Sequence, residues 1–131
     1  METPKPRKRI LVMDDDESIR TLLRHFLEAG GFEVEEAAGG KEGLRKHGAR
    51  PYDLIVADLF MPEGDGLEFL TRLRPKETGL PIIAISGGSV HLHLEGLDLA
   101  RLLGASRTIA KPFQPDDVVA AARSLLGMAP A

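Results

Sequence analysis

Short, unbroken apolar runs alternate along this chain with segments whose apolar residues recur every three or four positions. The runs are Ile10–Met13, Tyr52–Ala57 and the IIAIS stretch opened by Pro81. Phe32, Val34 and Ala37 read as a strand by alternation, and Thr108–Ala110 as a short one. Between them, Ile19, Leu22, Leu23, Phe26 and Leu27 keep helical spacing, with Gly30 and Gly31 as a stop. A weaker helix is expected over Gly39–His47, with Gly43 inside it, and another around Leu67–Leu73 after a Pro/Gly-rich loop. Val90–Leu103 also reads as a helix. So does Asp116–Leu126, where Val118, Val119, Ala122, Leu125 and Leu126 share one face.

Five strands alternating with five helices predict an α/β fold with a parallel sheet covered on both faces. There is no internal repeat and no linker long enough to divide the chain. One domain is expected over residues 8–127, with flexible tails at 1–7 and 128–131. The basic cluster Arg7, Lys8 and Arg9 is read as a solubilising charge run at the end of the tail.

In such folds ligands bind beyond the carboxyl ends of the strands, where the strand order reverses, and here those ends are chemically loaded. Asp14, Asp15 and Asp16 follow the first run, Asp58 the third, Ser86 the fourth and Lys111 the fifth. Converging carboxylates repel: two unit charges about 4 Å apart cost roughly 4 kcal/mol at an effective dielectric near 20. Such a group must take up protons or a cation, and several carboxylate oxygens suit Mg²⁺, with Mn²⁺ as a substitute. A carboxylate beside such an ion and a lysine can attack a phosphoryl group and hold it as an acyl phosphate. Asp58 stands alone after its strand whereas Asp14–Asp16 are crowded, so Asp58 is the expected nucleophile. Ser86 offers a hydroxyl and Gly87 leaves room beside it. Asp16 and Glu17 suit the first turn of a helix, with Ser18 as a further capping candidate.

Composition narrows the function classes. The chain has 131 residues, 43% hydrophobic and 28% charged, which is a globular balance. A net charge of −3 offers no basic field for nucleic acid. The absence of cysteine excludes disulfides, thiolate metal sites and thiol catalysis. No apolar run approaches the ~18 residues a membrane span needs, so a cytoplasmic protein is expected. Asp65-Gly66 reads as a turn and helix start rather than a ligand pair. His91 and His93 lie two apart on an expected helix and so do not face each other.

The stretches RILVMDDDESIR, YDLIVADLFMPEGDGLEFL, PIIAISGG and AKPF, in this order and spacing, resemble the receiver domain of two-component response regulators. The resemblance runs over about residues 8–127 and implies a flavodoxin-like, doubly wound sheet of strand order 2-1-3-4-5. It implies Asp58 as phosphoacceptor, and Asp14, Asp15 and the Phe60 backbone carbonyl as magnesium ligands beside it. Ser86 takes the place of the switch hydroxyl, and Lys111 that of the phosphate-contacting lysine, followed by a cis bond to Pro112. Phe60 and Gly88 take positions that tune hydrolysis of the acyl phosphate. The implied partners are a sensor histidine kinase or histidine phosphotransfer protein and a downstream output protein. With no second domain after Leu126, the chain is expected to act as a stand-alone regulator.

Three departures from the family pattern stand out. Thr108 replaces the usual switch aromatic three residues before the lysine. Ser86 and Lys111 are 25 residues apart, longer than the family's usual spacing. Phe60 is bulky where a polar residue often orients the hydrolytic water, so Phe60→Asn is expected to shorten the phosphoryl lifetime. Rival readings are a docking module independent of phosphate and a small magnesium-dependent aspartyl-phosphate phosphatase. The second needs Thr or Val after its two aspartates, where this chain has Glu17 and Ser18, and it has no room for a cap. A flavodoxin is disfavoured, since three aspartates would repel a phosphate.

Overall fold

The computed structural model describes residues 7–58, 65–73, 79–86 and 104–129. Its strands are β1 (Arg9–Met13), β2 (Glu33–Ala37), β3 (Leu54–Asp58), β4 (Ile82–Ser86) and β5 (Arg107–Ala110). The described helices are α1 (Glu17–Ala29), α2 (Gly40–Ala49), α3 (Asp65–Leu73) and α4 (Pro115–Leu125). The helix expected over 90–103, with His91 and His93, lies outside the described residues, as do Phe60, Gly87, Gly88 and residues 1–6. All strand pairings are parallel and the order is β2-β1-β3-β4-β5, as expected.

β1 and β3 are buried along their whole length because each lies inside the sheet and has helices on both faces. Alternate residues divide between two cores. Leu11, Met13, Ile55, Ala57, Ile82 and Ala84 pack with Tyr52, Phe69, Leu70 and Leu73. Ile10, Val12, Leu54, Val56, Ile83 and Ile85 pack with Leu23, Leu27, Phe32, Val118 and Ala122. Full burial of a side chain of this size contributes about 1.5–3 kcal/mol, so the two cores carry the fold.

Local chemistry sets the element ends. Asp16, rather than Ser18, caps α1: its carboxylate accepts the Ser18 N–H at 2.8 Å. The helix stops at Gly30, and Gly31 turns the chain with φ of 98°, a conformation glycine adopts without strain. In α2, a Cβ on Gly43 would lie 2.7 Å from Met13 Sδ and 3.2 Å from the Phe69 ring. Glycine there lets the helix lie close over β1. The Lys111–Pro112 bond is cis.

Three sequence expectations need correction. Arg9 is not part of the tail. It is the first residue of β1 and is buried, because Glu33, Glu35 and the carbonyls of Arg50 and Pro51 surround its guanidinium. Leu22, placed in the apolar stripe of α1, is exposed; the sheet covers only the narrower line through Leu23 and Leu27. Val34 and Ala37 do not share a face: three residues apart in a period-two strand, they enter opposite cores. Beyond α4, Met128 packs against the second core and the Ala129 carbonyl accepts Arg123 Nε at 2.7 Å.

Candidate functional site

Strand order reverses between β1 and β3, because the chain leaves β1 to form β2 on one side and returns to form β3 on the other. Met13 pairs with Ala57, so the next residue on each of these neighbouring strands is an aspartate, Asp14 and Asp58. Further along the same edge, Ser86 pairs with Ala110, and Lys111 follows directly. The parallel register thus delivers residues from four separated motifs to one edge. The side chain of Ser86 is outside the described part of the structure. Thr108 lies back from this edge, paired with Ala84 and half-buried.

Asp14 and Asp58 are buried, whereas Asp15 is exposed. One oxygen from each of the three carboxylates lies within 4.8 Å of the others. Lys111 Nζ bridges two of them, 3.2 Å from Asp58 Oδ2 and 3.5 Å from Asp14 Oδ2. The two oxygens of Asp14 differ. Oδ1 accepts the Asp16 N–H at 2.9 Å. Oδ2 is buried with no hydrogen-bond partner among the described residues. A buried anionic oxygen whose charge meets only the 3.5 Å ion pair with Lys111 is costly.

Burial pushes the Asp14 carboxyl up to about 6, and the Asp58 and Asp15 charges add to the effect against the Asp16 N–H and Lys111. Burial pulls the Lys111 ammonium the other way, yet Asp58 and Asp14 outweigh it and hold its pKa above the ordinary lysine value. Among the described residues, three carboxylates stand against one ammonium, an excess of negative charge that suits a divalent cation. The oxygen-only donor set of Asp14, Asp15 and Asp58 fits a hard ion such as Mg²⁺.

Sequence reading missed Arg20. Its Nη1 donates to the Asp14 carbonyl at 2.8 Å and its Nε lies 3.1 Å from Glu36 Oε1. On the sequence it is one more charged residue on a helix, and nothing local separates it from Arg24. His47 was also passed over; it is buried, and its Nδ1 accepts the Tyr52 N–H at 3.1 Å, far from the acidic edge of the sheet.

Among the described residues no helix is long and apolar enough to cross a membrane. Compared with known proteins, residues 10–123 match the response regulator receiver domain. The alkaline phosphatase synthesis transcriptional regulatory protein PhoP of Bacillus subtilis is 38% identical over 120 residues, 91% of this chain and 48% of that protein. The transcriptional regulatory protein ResD of the same organism is 36% identical over 118 residues, 90% and 48% of the two chains. The chain thus spans about half the length of the curated relatives it matches. A CheY-like receiver domain protein from Methanospirillum hungatei superposes with a TM-score of 0.84 at 32% identity, covering 93% of this chain and 95% of the other. The receiver domain of NtrX from Brucella abortus gives 0.82 at 30% identity, covering 92% and 99%.

Proposed function

The chain belongs to the response regulator receiver family, and on that premise we propose that it accepts a phosphoryl group on Asp58 from a phosphohistidine donor. Asp14, Asp15 and Asp58 would hold Mg²⁺, with Mn²⁺ as a substitute. The observation that carries this reading is the buried Asp58 carboxylate, 3.2 Å from Lys111 and grouped with two further carboxylates at the strand switch point.

In the transfer, an Asp58 oxygen bonds to phosphorus as the bond from phosphorus to the donor imidazole nitrogen breaks, and that nitrogen keeps the electron pair and takes a proton. Lys111 stays charged beside Asp58 and supplies donors to the equatorial phosphoryl oxygens. Bound Mg²⁺ supplies neutralising charge for the carboxylates and the phosphoryl oxygens. The product carries roughly −2 charge and three acceptor oxygens where one carboxylate stood. Lys111 and the Ser86 hydroxyl would re-pair with those oxygens and bias a two-state surface. A sensor histidine kinase or histidine phosphotransfer protein is the donor class, the setting is the cytoplasm, and the reader is a protein rather than nucleic acid. The reading holds whether that reader is a separate protein or a domain joined to the same chain. The protein promotes its own phosphorylation and dephosphorylation rather than turning over a separate substrate.

Incubation with a small phosphodonor and Mg²⁺, followed by intact mass, tests the reading. The expected result is one added phosphoryl group on the native chain and none on Asp58→Asn. A native chain left unmodified would overturn it and favour the phosphate-independent docking module.

A further inference from the structure

Asp14 is tied to β2 at both ends of its backbone. Its N–H donates to the Ala37 carbonyl at 3.1 Å. Its carbonyl accepts Arg20 Nη1 at 2.8 Å, and the same guanidinium is anchored 3.1 Å from Glu36 Oε1. Glu36 is itself fixed: Arg24 Nη1 lies 3.1 Å from Oε2, and Lys46 Nζ donates to its backbone carbonyl at 2.6 Å. The Arg20 side chain is only 16% exposed, so this bridge is sheltered in a way most surface ion pairs are not. The planar peptide between Asp14 and Asp15 shares its plane with the Asp14 carbonyl. Fixing that carbonyl therefore fixes the direction in which the chain presents Asp15.

We propose that Arg20 is a positioning residue of the cation pocket, setting the Asp14–Asp15 peptide from a strut on Glu36 so that both carboxylates converge with Asp58. The inference rests on the reading of these three aspartates as the magnesium-holding group. Charge alone predicts the opposite behaviour. Arg20 is a cation near a cation site, so if it acted only through charge, its removal would tighten Mg²⁺ binding. A positioning role makes removal weaken it.

Isothermal titration of Mg²⁺ into the full chain separates the two signs. Arg20→Met keeps the stem and loses the fork; its Mg²⁺ Kd is expected to rise about tenfold, as for other residues that orient metal ligands through hydrogen bonds. Its phosphoryl uptake should return close to the native rate at saturating Mg²⁺, which a general loosening of the fold would not produce. Arg20→Lys keeps the charge but cannot bridge the Asp14 carbonyl and Glu36 together, and its Kd should rise about threefold, a smaller loss on the same scale. Urea unfolding without Mg²⁺ checks that each variant is folded, and Arg20→Lys decides the matter if Arg20→Met is not. A folded variant binding Mg²⁺ as tightly as the native chain, or tighter, overturns the inference. A native chain that takes up no Mg²⁺ overturns the function reading above, and this inference with it.

Discussion

The two ends of the sheet both bury charge, and they do so in opposite ways. At the amino end, Arg9 is buried and its guanidinium reaches Glu33, Glu35 and the carbonyls of Arg50 and Pro51. The same group lies 4.5 Å from the Tyr52 ring centre, and the Arg9 N–H donates to Asp53. At the carboxyl end, Asp14 keeps one oxygen without a hydrogen bond among the described residues, in a group with an excess of negative charge. The Tyr52 hydroxyl at the amino end is also buried without a hydrogen-bond partner among the described residues, but it is neutral. The charge of Arg9 is met within the fold, whereas that of Asp14 is met only in part among the described residues.

Removing the charge of Arg9 should cost the most stability. Arg9→Met keeps the apolar stem and leaves the Arg50 and Pro51 carbonyls without their donor, while the half-exposed glutamates rehydrate. The expected loss is about 3 kcal/mol, at the lower end for a broken buried pair. Urea unfolding measures it. Mg²⁺ affinity should stay close to native, since the ion binds the folded state and Arg9 lies at the opposite end of β1 from the acidic group. A loss of stability below about 1 kcal/mol would mean that Arg9 is another surface charge, worth what exposed pairs are worth.

Removing the charge of Asp14 should do the reverse. The Asp14 pKa is raised from 3.8 to about 6 in the folded state. Below pH 3.8 both states hold the proton and nothing is lost. Between there and about 6 the unfolded chain releases the proton while the folded one keeps it, so stability falls as pH rises. Above that window the folded state carries the buried charge at full cost, on the order of 3 kcal/mol. Asp14→Asn should therefore gain about 3 kcal/mol at pH 8 without Mg²⁺, since the attraction to Lys111 is already contained in the net shift. Added Mg²⁺ should stabilise the native chain and leave the variant unmoved. A variant less stable than native at that pH would show that Asp14 contributes to the fold.

The carboxyl end was more legible in the sequence than the amino end, for a topological reason. In a parallel sheet, residues after successive strands reach one edge whatever their separation along the chain, so Asp14, Asp58 and Lys111 could be grouped from strand position alone. No such rule applies to Arg9. Its environment is assembled from residues 24 and 42 positions away, and a basic run beside a proline-containing start looks like a tail. Arg20 was hidden because its function runs through a backbone carbonyl, which no residue type advertises. Helical spacing selected Leu22 along with Leu23, but spacing gives a stripe and only the sheet decides its width. Val34 and Ala37, by contrast, were separable in the sequence, because residues three apart in a strand of period two fall on opposite faces.

The smallest effect sharpens the comparison through its sign. Burial pushes the Glu35 carboxyl upward, but hydrogen bonding and attraction to Arg9 prevail and hold its pKa below the ordinary glutamate value. The contribution of Glu35 is thus present above the unfolded-state pKa and lost as pH falls through the folded one, the reverse of Asp14. The Glu35 side chain is 40% exposed, so solvent screens the pair, and Glu35→Gln should cost only a few tenths of a kcal/mol at neutral pH. That cost should shrink in high salt, whereas the Asp14→Asn gain, arising from a buried oxygen, should persist. Paired unfolding curves from pH 3 to 8 would separate the two carboxylates: the Glu35→Gln difference fades toward acid, and the Asp14→Asn difference grows toward neutral. Parallel slopes for the two variants would dissolve the distinction between the ends of the sheet.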